Sequence, residues 1–274
     1  MTTITLRVRN APGFRINADR LLPAALVALS ADEIARLVLP ASNESRAVGD
    51  VFDVSRSDDE TDPALVIEGD VHWLDRLGAK MTQGCIDVQG SAGDYTGFQM
   101  AGGMLRIDGD AGHFTGCQMK GGRLTLGGNA GDFTAGALPG DMEGMTGGTL
   151  TVHGNAGARL CDRMRRGLVL VGGDAGECAA SRLVAGTIGI AGKTGANLGY
   201  GMRRGTVLLA QAPERIPPTF TDGGRGFDVF WRLLTRSLAT ELAPFSGFRA
   251  DTLPRRYAGD LAVDGRGEVL IVES

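Results

Sequence analysis

A 19-residue repeat constrains the fold of this chain more than any other feature of its sequence. Successive repeats align without gaps, except for seven extra residues in the neighbourhood of residues 135–142. The glycines that open the repeats are Gly84, Gly103, Gly122, Gly148, Gly167, Gly186 and Gly205. A fixed period of this length is typical of a solenoid, in which each unit buries its apolar side against its neighbours.

The pattern inside each repeat predicts the type of solenoid. Apolar residues at alternate positions, such as Ile86 and Val88, indicate a strand with one buried face. Glycines three apart, such as Gly90 and Gly93, then predict a sharp corner, because glycine adopts positive φ without strain. These features predict an all-β fold: a right-handed parallel β-helix of about seven to eight coils, stacked at about 4.8 Å per coil.

Equivalent positions in successive repeats predict side-chain columns. Tyr95, Phe114 and Phe133 share one position and are expected to stack, and the stack is expected to end where that position becomes Arg159. Cys161 and the insertion are among the departures from the last glycine of the motif, and these are expected to loosen the corners. A second column, more typical of core packing than of a cofactor site, consists of Met100, Met119, Met145, Met164, Leu183 and Met202.

The repeat is predicted to occupy residues 63–212, preceded by a small α+β cap in residues 1–62. Residues 3–9 alternate as a strand, and two short helices follow, the second capped by Ser30 with Glu33. The acidic residues 55–63 predict an exposed connection. Residues 65–84 form a degraded first repeat, and the cap is expected to cover the leading end of the β-helix.

Residues 213–274 are predicted to form a tail with a helix and a β-hairpin. Outward strand positions become apolar in later repeats, for example Leu170 and Leu208, so they require a cover. An amphipathic helix starting at Gly226 is one candidate cover, and another subunit is the other. Prolines 217 and 218 and residues 222–226 predict a hinge before this helix, and residues 260–272 predict the hairpin.

Composition and motifs argue against several functions. The net charge of −4 favours neither nucleic acid nor a membrane surface as a partner, and a cytoplasmic location is expected. The four cysteines lack CxxC spacing and the three histidines match no metal-ligand motif. Asp110 and Asp174 resemble residues of calcium-binding nonapeptide repeats, but the period is 19 rather than nine. The sequence therefore predicts no catalytic residues and no metal ligands.

One basic feature suggests a binding site. Arg165 and Arg166 stand at the final corner of one repeat, and Arg203 and Arg204 stand at the same corner two repeats later. Stacking would place the two pairs about 10 Å apart along one edge. Such a row fits a polycarboxylate or an acidic partner surface, and it also fits a solvated edge that keeps the protein soluble.

The motif G-x-x-G-x-x-x-G, seen at Gly90, Gly93 and Gly97, resembles the repeat of the glutamate synthase C-terminal β-helix domain. A chain of this length with M-x-x-G closing the repeats more closely resembles the C subunit of formylmethanofuran dehydrogenase, over residues 65–210. The resemblance implies a non-catalytic structural subunit in a complex with amidohydrolase-like, dehydrogenase-B-like and formyltransferase subunits. Three lysines against 25 arginines favour a bacterial source and thus the related formyltransferase/hydrolase complex of methylotrophs.

In that family, formyl groups pass from tetrahydromethanopterin to a methanofuran-type carrier and leave as formate. The resemblance implies no cofactor held by this chain's own ligands. The carrier bears glutamates, so Arg165, Arg166, Arg203 and Arg204 become its candidate binding track. Two alternatives stay open: a glutamate synthase-like module that couples a glutaminase to a partner, and a stand-alone carbohydrate-active enzyme, for which the expected carboxylate clusters are missing.

Overall fold

The computed structural model describes residues 2–41, 44–58 and 64–272. The fold is mainly β with few helices. The strands are β1 Thr2–Val8, β2 Ile16–Asn17, β3 Val38–Pro40, β4 Ser45–Ala47, β5 Phe52–Asp58, β6 Ala64–Glu68, β7 Leu74–Asp75, β8 Cys85–Gln89, β9 Met104–Ile107, β10 Arg123–Leu126, β11 Thr149–Val152, β12 Leu168–Val171, β13 Thr187–Ile190, β14 Thr206–Leu209, β15 Thr221–Gly224, β16 Arg255–Gly259 and β17 Gly267–Ile271. The α-helices are α1 Pro23–Leu26, α2 Ala31–Ala35, α3 Val48–Val51 and α4 Asp228–Leu238, and 3-10 turns occur at Phe245–Gly247 and Leu261–Val263.

Thirteen of these strands form one large, mainly parallel sheet. Its order is β15-β16-β17-β14-β13-β12-β11-β10-β9-β8-β6-β1-β5. None of the helices in the described ranges has the length and apolar character needed to span a bilayer.

The repeats pair in register, one strand per repeat. Ile86 of β8 lies opposite Leu105 of β9, which lies opposite Leu124 of β10, and all three side chains are buried. The predicted alternation of buried positions is therefore confirmed. A second line of parallel bridges joins consecutive repeats at Ala92, Ala111, Ala130, Ala156, Ala175 and Thr194. Each repeat thus contacts the next along two separate lines.

Side chains at the corners also bond from repeat to repeat. Asp110 Oδ1 accepts the backbone N–H of Asn129 at 2.6 Å, and Asn129 Oδ1 accepts that of Asn155 at 2.8 Å. The series continues through Asp174, whose Oδ1 accepts the N–H of Lys193. These carboxylates therefore satisfy backbone donors at the turns, and their place in the repeat is explained by hydrogen bonding.

The aromatic column stacks as predicted. Ring centroids are 4.9 Å apart for Tyr95 and Phe114, and 5.0 Å apart for Phe114 and Phe133. The Arg159 guanidinium lies 5.7 Å from the Phe133 centroid, and Arg76 lies 4.8 Å from that of Tyr95. The stack of aromatic rings therefore ends at Phe133, as predicted, and a cation lies on each end of it. All five residues have φ between 57° and 60°, in the left-handed region.

The corners without glycine are not loosened, which corrects the expectation from the sequence. Cys161 and Ala180 both adopt φ of 58°, close to the 63° of Gly116 at the equivalent position. A Cβ atom at Gly116 would lie 2.3 Å from Leu150 Cδ1, a residue two repeats further along. Where Ala135, Cys161 and Ala180 replace glycine, the strand position two repeats on holds a β-branched residue instead: Val169, Ile188 and Val207. Glycine is therefore required where a leucine side chain reaches the corner.

The N-terminal region extends the leading edge of the sheet. Strand β1 pairs in parallel with β6 and antiparallel with β5, and β6 pairs in register with β8. The predicted first repeat and the Ser30–Glu33 capping box are confirmed. Residues 55–57 are exposed, as predicted, but residues 55–58 lie in β5 rather than in a connection, because β1 offers them a pairing edge; residues 59–63 lie outside the described residues.

The tail extends the other edge of the sheet. Strand β17 pairs in parallel with β14 and antiparallel with β16, which in turn pairs with β15. The predicted hairpin is correct in its second strand and wrong in its first. Leu261–Val263 forms a 3-10 turn because Asp260 Oδ1 accepts the N–H of Ala262 at 2.9 Å. The predicted hinge is partly strand, because Thr221–Gly224 pairs with β16.

Helix α4 covers the apolar outer face of the later repeats. Trp231 and Leu234 of α4, together with Phe245, pack in one cluster with Leu170 and Leu208. Of the two candidate covers left open by the sequence, the chain's own tail therefore contacts this face. The strand residue between the two leucines is Gly189, where an added Cβ would lie 2.9 Å from Phe245 Cε1. The absence of a side chain there leaves room for the Phe245 ring.

An ion pair joins the tail to the repeat. Glu241 accepts two hydrogen bonds from Arg123, at 2.9 and 3.1 Å. These bonds lower the pKa of Glu241 below its usual range, against the opposing effect of burial. A lowered folded-state pKa means that the pair stabilises the fold above the unfolded pKa, and that this stabilisation is lost as pH falls through the folded pKa.

Glu241→Gln should therefore lower the free energy of unfolding by about 0.5–1 kcal/mol at pH 7, because the pair is partly exposed. The difference in stability between the variant and the native protein should shrink as pH falls from the unfolded glutamate pKa of about 4.3 through the lower folded pKa, where the native carboxylate becomes protonated. Urea unfolding followed by tryptophan fluorescence, at pH 7 and at low pH, measures the free energy of unfolding of both proteins. Glu214→Gln, at an exposed carboxylate, is the matched control, and an equal loss in both variants would contradict the assignment.

Candidate functional site

The four predicted arginines lie in a column fixed by the backbone. The N–H of Arg165 bonds to the carbonyl of Met145 at 2.8 Å, and the N–H of Arg203 bonds to that of Leu183 at 2.8 Å. Val184 makes the equivalent bond in the repeat between them. The two arginine pairs are thus separated by one intervening repeat, which corresponds to about 10 Å.

These residues surround one surface depression of about 500 Å³. We call it the basic groove, and its lining residues are Thr146, Arg165, Arg166, Val184, Ala185, Arg203 and Arg204. The structure therefore brings together all four arginines that the sequence singled out. Because Val184 and Ala185 occupy the repeat between the pairs, small apolar side chains separate the two sets of guanidinium groups.

Most of the cations in the basic groove have no acidic partner. Arg165 Nε lies 2.9 Å from Glu143 Oε1, in a pair whose side chains are both about half exposed. Across residues 2–41, 44–58 and 64–272, no carboxylate lies within 4.0 Å of Arg166, Arg203 or Arg204. The groove therefore presents uncompensated positive charge to solvent, which favours an anionic ligand.

The tail adds a fifth arginine to this edge. The Arg266 N–H bonds to the Arg203 carbonyl at 2.7 Å, and the pairing of Thr206 with Glu268 places Arg266 beside Arg204. Arg266 is exposed, and among the described residues it too has no carboxylate partner. It was not predicted from the sequence, because it lies in the tail, outside the periodic pattern. Arg159, by contrast, stacks on Phe133.

A second depression of about 530 Å³ adjoins the basic groove and shares Arg165, Val184 and Arg203 with it. We call it the side pocket, and its lining residues are Met142, Arg163, Arg165, Arg182, Val184, Tyr200, Gly201, Arg203, Asp260, Ala262 and Val263. One wall comes from the insertion and another from the tail. This pocket was not predicted from the sequence, because neither wall belongs to the repeat.

A buried carboxylate fixes two arginines of the side pocket. Asp162, whose side chain is 4% exposed, accepts hydrogen bonds from Ser181 Oγ and from two nitrogens of Arg182, at 3.0 and 2.8 Å. Arg163 Nε lies 3.8 Å from the same carboxylate. A bidentate carboxylate pair restricts the guanidinium orientation, so Arg182 is held in place before any ligand arrives. Arg163 and Arg182 lie one 19-residue period apart, so the sequence does indicate that they occupy equivalent positions in neighbouring repeats.

Two of the four cysteine thiols are poor candidates for nucleophiles. Burial raises the pKa of Cys117 to about 12, and burial also raises the pKa of Cys161 well above its ordinary value. Both thiols are therefore protonated at neutral pH, and the thiolate is the reactive form. In the part of the chain that the structure describes, no group of three or more histidine, cysteine, aspartate or glutamate residues is arranged to hold a metal ion.

Comparison with known proteins identifies similar sequences. The GXGXG motif family profile matches residues 74–220. The C subunit of the Fhc formyltransferase/hydrolase complex of Methylorubrum extorquens is 43% identical over 89 residues, which cover 32% of this chain and 32% of that protein. The C subunit of the tungsten-containing formylmethanofuran dehydrogenase 2 of Methanothermobacter marburgensis is 34% identical over 99 residues, 35% of this chain and 37% of that protein. The matched segment thus spans about a third of the length of these curated relatives.

A solved structure extends the similarity to nearly the whole chain. A chain in the crystal structure of the formyltransferase/hydrolase complex from Methylorubrum extorquens, in complex with methylofuran, superposes with a TM-score of 0.90. It is 40% identical in sequence, and the match covers 98% of this chain and 100% of that chain.

Proposed function

Because this chain belongs to the GXGXG motif family, and within it to the C subunits of formylmethanofuran dehydrogenases and formyltransferase/hydrolase complexes, we propose that it is a non-catalytic structural subunit of such a complex. The observation that carries this proposal is the likeness, over nearly the full length, to a chain of a solved formyltransferase/hydrolase complex. The complex would transfer and hydrolyse formyl groups in one-carbon oxidation to formate.

We further propose that the repeat forms a parallel β-helix of seven to eight coils. Two lines of contact support this, namely the in-register strands and the alanine bridges that join consecutive repeats. A stack of this kind is rigid and presents long side faces, as a scaffold requires. The absence of a catalytic role is supported by the state of its reactive groups. The buried thiols are protonated, and the corner carboxylates are engaged by backbone N–H groups.

The partners in this proposal are amidohydrolase-like, dehydrogenase-B-like and formyltransferase subunits. Isolation of the tagged chain from its native source tests the assembly directly. We expect it to copurify with subunits of amidohydrolase and formyltransferase type in fixed ratio. A glutaminase-bearing partner would instead support the glutamate synthase-like alternative. A chain that elutes alone, or that turns over a formyl substrate without companions, would contradict the structural role.

We propose that the basic groove helps to hold the glutamate-bearing tail of a methanofuran-type carrier. The unpaired charges of Arg166, Arg203 and Arg204 support an anionic ligand, and the spacing of the two arginine pairs supports an extended one. Guanidinium groups bind carboxylates in bidentate geometry, so successive carboxylates along a chain would each find a donor pair.

Replacing Arg165, Arg166, Arg203 and Arg204 together with alanine should weaken carrier retention by the purified complex by roughly thirtyfold. This estimate assigns about 0.5 kcal/mol to each exposed charged contact. Carrier content is measured by mass spectrometry after washing at increasing salt, and the native complex should lose carrier more slowly. A variant that removes Arg20, Arg36, Arg232 and Arg236 matches the change in charge away from the groove. Equal carrier content in the two variants would rule the track out.

A further inference from the structure

The side pocket combines arginines with exposed apolar side chains. Met142, Tyr200 and Val263 line it and are 69%, 64% and 42% exposed, and Leu261, next to the lining residue Ala262, is 53% exposed. These four belong to a set of nine exposed large apolar residues among the described residues of the whole chain. Exposed apolar groups are therefore concentrated at this pocket, and such concentrations mark interaction sites.

The pocket is built from the two places where the chain departs from its repeat. The insertion contributes Met142, whose sulfur accepts a hydrogen bond from Arg163, and the tail contributes Ala262 and Val263. The tail wall is held by Asp260, whose Oδ2 accepts the N–H of Gly201 at 3.0 Å. A regular stack of repeats would present an open edge here, so the insertion and the tail are what create a pocket.

The charge of the pocket selects the chemistry of its occupant. Asp162 is already engaged by Ser181 and Arg182, and Asp260 by backbone N–H groups. These carboxylates therefore leave the positive charge of Arg203 and part of that of Arg163 available. An acidic occupant complements this charge, and an apolar side chain on that occupant covers the apolar walls.

The composition points to a protein partner. Arginine, tyrosine and methionine are enriched at protein–protein interfaces, and arginine and tyrosine are frequent hot-spot residues. A small free anion would pair with the guanidinium groups but would leave Met142, Tyr200 and Val263 exposed. A depression of about 530 Å³ has room for the side chains of a short peptide segment rather than for one carboxylate alone.

We propose that the side pocket is the docking site for an acidic segment of a partner polypeptide, inserted through an apolar anchor side chain. The inference rests on the proposed function for the existence of the complex. It differs from the carrier track because it depends on Met142, Tyr200 and Val263, which lie outside the basic groove. The anchor packs against these walls while neighbouring carboxylates meet Arg163 and Arg203.

Photo-crosslinking within the assembled complex tests the occupant. The photoreactive amino acid p-benzoylphenylalanine replaces Tyr200 in the full chain, and in a second variant it replaces Val38, which is 48% exposed elsewhere. After irradiation of the purified complex, crosslinked peptides are identified by mass spectrometry. Position 200 should link to one partner segment that contains Asp or Glu beside a large apolar residue. No crosslink beyond the level at position 38, a link to a basic segment, or an adduct with a small molecule would each overturn the proposal.

A double substitution tests how much the side pocket contributes to partner binding. Met142→Asp with Tyr200→Asp places two carboxylates where the acidic segment docks, so retention of that partner should fall by at least about tenfold. Val38→Asp with Met104→Asp changes the same number of exposed apolar residues outside the pocket and should alter retention by less than about twofold. Both variants should keep the native melting temperature, because all four side chains are exposed.

The outcomes separate this inference from the proposed function. If the Met142/Tyr200 variant retains every partner as well as its control does, the docking site is overturned while the complex still assembles. If the native chain binds no formyl-transferring partner at all, the proposed function fails, and the docking inference fails with it.

Discussion

Replacing Trp231 with alanine is expected to detach helix α4 from the outer face of the sheet, at a cost of about 3–5 kcal/mol. The indole is fully buried, and its Nε1–H donates to the Arg249 carbonyl at 2.9 Å. It packs in the same cluster as Leu170, Leu208 and Phe245. Its loss would leave a large cavity between the tail and the sheet, and the Arg249 carbonyl would keep only its hydrogen bond from the Thr252 N–H.

Hydrogen exchange distinguishes local detachment from global unfolding. In Trp231→Ala, amides of residues 228–253 should lose protection, whereas those of β8–β10 should keep it, because these strands and the strands they pair with lie outside the cluster that contains Trp231. Phe230→Ala is the matched control, since Phe230 lies on the same helix but is 39% exposed, and it should cost less than about 1 kcal/mol. Similar effects of the two substitutions would show that the tail does not depend on the buried face of α4.

The second large effect is expected at a corner of the repeat. Gly116→Ala should lower the free energy of unfolding by about 3 kcal/mol. Gly116 has φ of +63°, and an added Cβ would lie 2.3 Å from Leu150 Cδ1. A left-handed conformation costs a non-glycine residue about 1 kcal/mol, and overpacking in a filled core costs about 1–3 kcal/mol more.

Leu150→Val removes the methyl group that such a Cβ would meet, so it should recover about 1–2 kcal/mol in the Gly116→Ala background. In the native background the same change should destabilise by about 1 kcal/mol, because it leaves a cavity. Urea unfolding of the two single variants and the double variant completes a double-mutant cycle. The double variant would recreate the native combination of Ala135 with Val169. Strictly additive losses would contradict the contact between the corner and the strand two repeats on.

The repetitive part of this fold was predictable because every inference could be checked against its copies. The alternation at Ile86 and Val88 recurs in each repeat, so it identified the strands and their buried side. The errors in secondary structure lie outside the repeat. Residues 55–58 and 261–263 were misassigned because their conformation depends on a partner strand and on the Asp260 side chain, neither of which has a local signature. The sequence also left open whether the tail covers Leu170, because it does not specify where α4 packs.

The candidate site also has one part that the sequence predicts and another part that it does not. Arg165 and Arg203 could be placed on one edge because they occupy equivalent repeat positions. Arg266 was missed because its place depends on the parallel pairing of β17 with β14, which brings distant segments together. The side pocket was missed because Met142 and Val263 reach it from the insertion and the tail.

That pairing of β17 with β14 also has a consequence for synthesis on the ribosome. Leu209 lies opposite Ile271, although 62 residues (271 − 209) separate them in the chain. At about 5–20 residues per second, the nascent chain takes roughly 3–12 s to add the segment between these two positions. Until β17 has emerged, the growing edge of the stacked repeats is an unpaired strand that strands of other chains can join. The period of greatest exposure to aggregation, and of greatest need for chaperones, therefore falls late in translation, after the repeats themselves have been synthesised.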